Sequence, residues 1–336
     1  MMQQSLTCLC ECSEAISSPR SPQSQAPSHA FARVLRRLFF FNFIAITSLF
    51  LFSCAEPADS DLPDGPQIPS IDSDAYVSVV TWNIEKMDRY YTPTTGTRVA
   101  QILDSLNADI YCLQEIEKTV ELSRIIDDLD QFTVIISEDT WGDNLAIVYK
   151  HDSFLPMNIE SLFKNDDYNF ASRPPLLVSF GFEMDGKQHQ LNVVDLHMKC
   201  CERYSTDLER RHAASEMLHN YMEVAQAYGD SNFVVLGDWN DDIYDPDGSG
   251  EYAFEAFLND SENFQFVTDS LASLQSVNSA SYPSWPSFLD NILVSRSLFD
   301  EIPGSKVETL RLDEIFGDYG SAVSDHRPVV WSFKPQ

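Results

Sequence analysis

Two rhythms of apolar residues run along the chain from Tyr76 to Gln336. Short apolar runs of strand length alternate with amphipathic stretches of helical period. VSVVTWNI (Val77–Ile84) predicts a strand, and Val99, Ile102, Leu103 and Leu106 mark one face of a helix. ADIYCLQEI (Ala108–Ile116) predicts a buried strand, followed by a helix from Val120 to Leu129. FTVIIS and NLAIVYK have strand character. LLVSFGFEM and HQLNVVDLHM flank Asp185-Gly186, a hairpin turn signal. Thr206 to Tyr228 predicts a long helix, and NFVVLGDWN, FLDNILVS and PVVWSF complete the strands. Strands mixed with helices and hairpins predict an α/β (α+β) domain with substantial antiparallel pairing.

The N-terminal quarter has a different composition. Residues 1–37, rich in Ser, Pro and Gln, predict a disordered or over-called extension. Arg33, Arg36 and Arg37 precede an apolar run that ends in Leu51-Phe52-Ser53-Cys54. Basic, apolar and small residues in that order match a secretory signal, so residues 38–54 are expected to direct export. A cysteine after the small residue resembles the bacterial lipoprotein signal and implies a lipid anchor at Cys54; an uncleaved membrane anchor is the alternative. Residues 55–75, rich in Pro, Asp and Ser, predict a flexible acidic linker. The folded domain is expected at 76–334, as a monomer in a bacterial-type cell envelope or secreted.

Charge narrows the partners. The chain carries 22 Lys+Arg against 52 Asp+Glu, a net charge of −30. That balance excludes non-specific nucleic-acid binding through a basic surface. A nuclease is still allowed, because a bound divalent cation and a local basic groove can reverse the field at a site. The domain contains Cys112, Cys200 and Cys201, an odd number whose pairing the sequence leaves open.

Metal-capable or acid–base residues stand at the ends of the predicted strands. TWN ends in Asn83, CLQE in Glu115 and VVDLH in His197. VVLGDWN offers Asp238 and Asn240, SFLDNILV carries Asp290, and SDHRPVV opens with Asp325-His326. A strand end holds such a group rigidly at the rim of a sheet. A hard divalent ion held by a carboxylate and an amide oxygen would neutralise charge on a bound anion. Glu115 with Asn83 suits that task, and oxygen donors favour Mg²⁺, then Mn²⁺ or Ca²⁺. The two histidines supply acid–base capacity near neutral pH.

Taken together, TWN, LQE, GDWN and SDHRPV resemble the endonuclease/exonuclease/phosphatase superfamily, over Tyr76 to Lys334. GDWN departs from the commoner GDFN. The resemblance implies a four-layer sandwich: two packed, mostly antiparallel sheets flanked by helices, with the site at one end. It implies Asn83, Glu115 and Asp325 as metal ligands, and His197, Asp238, Asn240, Asp290 and His326 as catalytic residues. In that scheme Asp290 orients His326, Asp238 orients or activates the attacking water, and Asn240 steadies the phosphate. Arg173 and Lys199 would contact substrate phosphate, and Asp143 would be a carboxylate partner for His197. Arg210 and Arg211 are expected as helix-surface charges, and Asp241–Glu251 as an acidic solvated loop.

The superfamily cuts several phosphodiesters on one scaffold, so the fold carries reaction type but not substrate. The His197–Lys199 spacing and the export signal favour an endonuclease acting on DNA or RNA. A sphingomyelinase-like lipid phosphodiesterase, a phosphatase, and an inactive binding module of the same fold are the alternatives.

Overall fold

Alternation along VSVVTWN gives the first strand two working faces. In β1 (Val77–Asn83), Val77 and Val79 enter one core while Val80 and Trp82 enter another. The computed structural model describes residues 67–71, 75–137, 142–200, 205–244 and 253–336. The expected extension, signal segment and Cys54 anchor, most of the linker, Cys201 and residues 245–251 of the acidic loop lie outside the described residues.

Helix α1 (Pro93–Leu106) begins where the chemistry of Thr92 dictates. Thr92 and Thr95 cap each other reciprocally, and Pro93 occupies the first turn. The helix stops at Asn107, which adopts the left-handed conformation. Then follow β2 (Ile110–Ile116), α2 (Thr119–Asp127), β3 (Phe132–Ile136), β4 (Asn144–Lys150), β5 (Phe154–Ser161) and β6 (Leu176–Met184). The second half contains β7 (Lys187–His197), α3 (Ser205–Ala227), β8 (Phe233–Asp238), β9 (Phe264–Phe266), β10 (Asp290–Ser295), β11 (Lys306–Thr309) and β12 (Val329–Phe333). Single-turn helices α4 (Glu255–Leu258), α5 (Asp269–Ala272) and α6 (Tyr319–Ala322) sit in its connections.

The strands form two six-stranded sheets, ordered β11-β12-β1-β2-β4-β3 and β5-β6-β7-β8-β10-β9. Each is mostly antiparallel with one parallel pair, β1 with β2 and β7 with β8. The inner core contains Val79, Cys112 and Ile147 from the first sheet and Val178, Val193 and Leu236 from the second. Leu218 and Met222 of α3 are buried in the same hydrophobic cluster, while the first sheet's outer face packs on α1 and α2 through Val99, Leu103, Leu122 and Ile126. Each fully buried aliphatic side chain contributes about 1.5–3 kcal/mol relative to exposure. The expected α/β (α+β) sandwich is the fold observed.

Three strands escaped the sequence pattern. β5 forms the edge of its sheet and buries little beyond Phe154, leaving Leu155, Met157 and Ile159 exposed. It therefore shows no inward–outward alternation, and Pro156 argues against a central strand. β9 and β11 are too short to carry a period.

Candidate active site

Strand register builds half of the site. In the parallel pair His197 lies opposite Asp238, and in the antiparallel pair Asp238 lies opposite Asp290. Three chemistry-bearing residues thus form one row across β7, β8 and β10. Period-two alternation turns the row inward, because Asp195 shares the face of His197 and accepts from Gln114 Nε2 of the other sheet at 2.7 Å. Gly237 lets β8 lie close beside β7 there; a Cβ at this position would stand 2.0 Å from the carbonyl oxygen of Leu196.

The other sheet supplies Asn83 and Glu115. Asn83 ends β1 on the face of Val77 and Val79. Strict alternation would put Glu115 with Leu113, on the helix side. An irregularity between Leu113 and Ile116 prevents this, and Glu115 adopts φ +62°. The twist redirects its carboxylate to the site, at the cost of backbone strain. Asn83 Nδ2 donates to Glu115 Oε1 at 2.9 Å and to Asp238 Oδ2 at 3.0 Å, joining the sheets. His197 Nε2 lies 3.6 Å from Asp238 Oδ2 and 3.9 Å from Glu115 Oε1.

His326 arrives on the loop before β12. Its backbone N–H donates to Ser324 Oγ at 2.9 Å, and Ser324 Oγ donates to the Asn83 carbonyl at 2.7 Å. The His326 carbonyl accepts from the Tyr319 hydroxyl, which itself accepts from Trp82 Nε1. Nδ1 meets Asp290 Oδ2 at 2.8 Å, while Nε2 stands 3.9 Å from both Asp238 Oδ2 and Asp325 Oδ1. The ring of Tyr282 packs against the imidazole, centroids 5.0 Å apart.

Burial and charge drive the two histidines in opposite directions. Burial, assisted by Arg173, His326 and Lys199, holds His197 well below the usual imidazole range. Burial also pulls His326 down, but the charges of Asp290 and Asp238 and the bond to Asp290 raise it well above that range. At neutral pH His197 is therefore neutral and His326 a cation. Burial pushes Glu115 up to about 7 and, with the charge of Asp290, Asp238 to about 6. Glu85 is raised first by burial and then by the charge of Asp325, with which it shares a side-chain hydrogen bond.

Asn240 adopts φ +53° beside the row; its N–H donates to Asp238 Oδ1 and its amide to the Met198 carbonyl. That carbonyl also accepts from Arg173 Nη2 at 2.6 Å, so the guanidinium is fixed near His197. Lys199 is half-buried, and its charge reaches His197. Asp325 stands with Glu85 and His326 rather than in the Glu115 group. Asp143 faces Arg173 Nη1 at 3.4 Å; among described contacts His197 instead meets Glu115 and Asp238. This corrects the expected Asp143–His197 pairing: Asp143, just before β4, lies against Arg173, and the carboxylates near His197 come from β2 and β8.

Arg211 corrects the expectation of a surface charge. It is 1% exposed, donating to Asp241 Oδ2 at 3.1 Å and to the Lys199 carbonyl at 3.1 Å. Asp241 is thereby committed to Arg211, and Asp242 accepts from the backbone of Tyr244 and Phe288. Cys112 is a buried free thiol. Sequence reasoning missed Glu85 and Tyr282. Glu85 follows TWN closely enough to have been suspected, whereas Tyr282 lies in a loop without any pattern.

The residues suit a hard cation. Asn83 Oδ1 is buried without a hydrogen-bond partner, an oxygen acceptor left for something other than a donor group. Ligand atoms of Glu115, His197 and Asp238 all lie within 4.8 Å of one another, as do those of Asp238, Asp290 and His326. Packing several carboxylates into one buried space is costly unless positive charge joins them.

Comparison with known proteins agrees with this fold. The Endonuclease/Exonuclease/phosphatase family matches residues 81–316, a span that contains Asn83 through Asp290 and ends before His326. The catalytic domain of Xenopus laevis APE2 superposes with a TM-score of 0.57 at 19% identity, covering 77% of this chain and 92% of that one. The human Nocturnin catalytic domain with bound sulfate anion gives 0.55 at 17%, covering 79% and 96%. D. rerio TDP2 complexed with single strand DNA product gives 0.55 at 14%, covering 78% and 100%. Among curated proteins, none matches the chain by sequence. This chain belongs to the endonuclease/exonuclease/phosphatase family, whose members are hydrolases acting on phosphodiester bonds.

Proposed function

We propose that this protein is a divalent-metal-dependent phosphodiesterase, an exported endonuclease acting on DNA or RNA. One observation carries the catalytic part. His326 is bonded to Asp290 and faces Asp238, in the same pocket where Asn83 bridges Asp238 and Glu115. Asn83 and Glu115 are the residues proposed to hold Mg²⁺, with Mn²⁺ or Ca²⁺ as substitutes, while Asp325, which stands with Glu85 and His326, is left out of that set. When bound, such an ion supplies charge neutralisation on the phosphate oxygens.

The chain's own groups do the rest. Asp238, raised toward neutrality, takes a proton from the attacking water. The water oxygen forms the new bond to phosphorus as the bond from phosphorus to the ester oxygen opposite breaks; that oxygen leaves with the electron pair and takes a proton from solvent, and Asp238 returns its own proton to solvent. The His326 cation holds a negative non-bridging oxygen through the transition state, and Asp290 maintains its charge and tautomer. Neutral His197 accepts or donates one hydrogen bond beside Asp238. Arg173, Lys199 and Asn240 orient the phosphate.

Export and anchoring at Cys54 are proposed from the basic–apolar–Ser-Cys order that ends at Cys54. Among the described residues no helix is long and apolar enough to cross a membrane. The nucleic-acid substrate is supported by the TDP2 structure, which holds a single strand DNA product. The test is hydrolysis of bis-p-nitrophenyl phosphate, abolished by EDTA and restored by Mg²⁺ or Mn²⁺; turnover that survives chelation rejects the metal role. Plasmid DNA, RNA, sphingomyelin and phosphoinositides under one metal condition then identify the substrate.

A further inference from the structure

We propose that two exposed tyrosine–arginine platforms, Tyr90 with Arg89 and Tyr168 with Arg210, flank the site and hold an unpaired nucleic-acid strand across it. The inference rests on the phosphodiesterase assignment above and adds the residues that select the substrate.

Both tyrosines are open to solvent, Tyr90 at 53% and Tyr168 at 63% exposure. Each has a cation over its ring. The Arg89 guanidinium carbon lies 4.8 Å from the Tyr90 centroid, and the Lys86 ammonium 5.6 Å from it. Arg89 Nη2 also donates to the Tyr90 hydroxyl at 2.9 Å. The Arg210 guanidinium carbon lies 4.3 Å from the Tyr168 centroid, and its Nε donates to the Tyr168 carbonyl at 3.0 Å.

Each platform is tied to one side of the site. Tyr90 follows β1, and its segment is stitched to two site loops. The Met87 carbonyl accepts from the N–H groups of Glu117 and Lys118, just after Glu115, and the Lys86 N–H donates to Val323, just before Ser324. Tyr168 lies between β5 and β6, on the same loop as Arg173, which grips the Met198 carbonyl next to His197. Arg210 adjoins Arg211, which holds the Lys199 carbonyl. One platform thus belongs to the first sheet's loops and the other to the second's, with the Asn83–Asp238 bond between the sheets.

The chemistry selects the ligand. With a net charge of −30 the chain repels polyanions at long range, so a strand needs local cations and contacts that ignore salt. An exposed ring stacks on any unpaired base, and the arginine on it meets the neighbouring phosphate. Paired bases are already stacked on each other and have no free face to offer. A cationic choline headgroup is repelled by rings that already carry a guanidinium.

The experiment uses the full chain carrying His326→Ala, in Mg²⁺, with a fluorescent unpaired oligonucleotide of about a dozen nucleotides. Tyr90→Ala and Tyr168→Ala should each weaken binding about tenfold. Tyr90→Phe and Tyr168→Phe should retain it. Arg89→Ala and Arg210→Ala should each flatten the dependence of log K on log salt by about 0.7. Tyr228→Ala, 88% exposed just beyond the far end of α3, serves as the control. Full-strength binding by both tyrosine-to-alanine variants, or equal affinity for a duplex of the same length, overturns the inference. Failure of the parent to bind any oligonucleotide, while the wild type hydrolyses bis-p-nitrophenyl phosphate, overturns the platforms and leaves the hydrolase standing. Strand binding that needs both tyrosines, with no hydrolysis in any metal, has the opposite meaning.

Discussion

Asp290→Asn removes a charge from the site while keeping the shape that carries it. The Asp290 side chain is fully buried, and its Oδ2 lies 2.8 Å from His326 Nδ1. A hydrogen bond to a charged group contributes about 1.5–3 kcal/mol, and about 1.4 kcal/mol corresponds to one pKa unit. His326 should therefore lose about 1–2 units of its elevation. The direction follows from the balance of forces: burial pulls the imidazole down, and Asp290 is the largest influence pulling it up. His326 acts as a cation, so activity is lost as pH rises through its pKa. The high-pH limb of kcat/KM on bis-p-nitrophenyl phosphate should move about 1–2 units toward acid in Asp290→Asn. Well above the variant's pKa the rate should be about 10- to 100-fold below wild type, and below both pKa values the gap should narrow. The assay is a pH series at saturating Mg²⁺ with both proteins, bracketed by melting curves to confirm folding. A limb that stays in place while the rate falls equally at every pH would falsify the role assigned to Asp290.

Three further outcomes are expected. Glu115→Gly should relieve a left-handed backbone costing about 1–3 kcal/mol while abolishing metal-dependent turnover; calorimetry should show a Tm rise of at least ~2 °C, and an unchanged or lower Tm counts against stored strain. Asp195, fully buried beside Gln114, is raised well above the carboxylate range mainly by burial. The folded state thus keeps its proton to higher pH than the unfolded state does, and stability falls as pH rises from the unfolded value through the folded one. Asp195→Asn should remove that decline, so its Tm should gain on wild type between acid and neutral pH; parallel curves would contradict this. Finally, Cys54→Ser should move the protein from the membrane fraction to the soluble fraction, and retention on the membrane would favour an uncleaved anchor.

Much of the site was legible because strands carry a period of two and end in polar residues. Asn83, His197 and Asp238 each close an apolar run and Asp290 opens one, and alternation along that run already sets the face each occupies. Other features depended on contacts distant in sequence. Arg211 looks like any helix arginine until Asp241 and the Lys199 carbonyl enclose it. Asp143 stands before a strand as expected, yet Arg173 takes it. Asp325 beside Glu85, and Tyr282 against His326, join loops whose approach no local pattern encodes.

By itself the sequence determined the order of most strands and helices, which residues could bear metal and proton chemistry, and the family resemblance. These follow from periodicity and side-chain identity, which are local properties. Only the tertiary structure decided that β7, β8 and β10 align His197, Asp238 and Asp290 in one row, and that Asn83 reaches across the sheets to Asp238. Register depends on partners far apart in the chain. It also decided the orientation of Glu115, whose φ of +62° reverses what alternation predicts, because a bulge is a property of the paired strand and not of the residues alone.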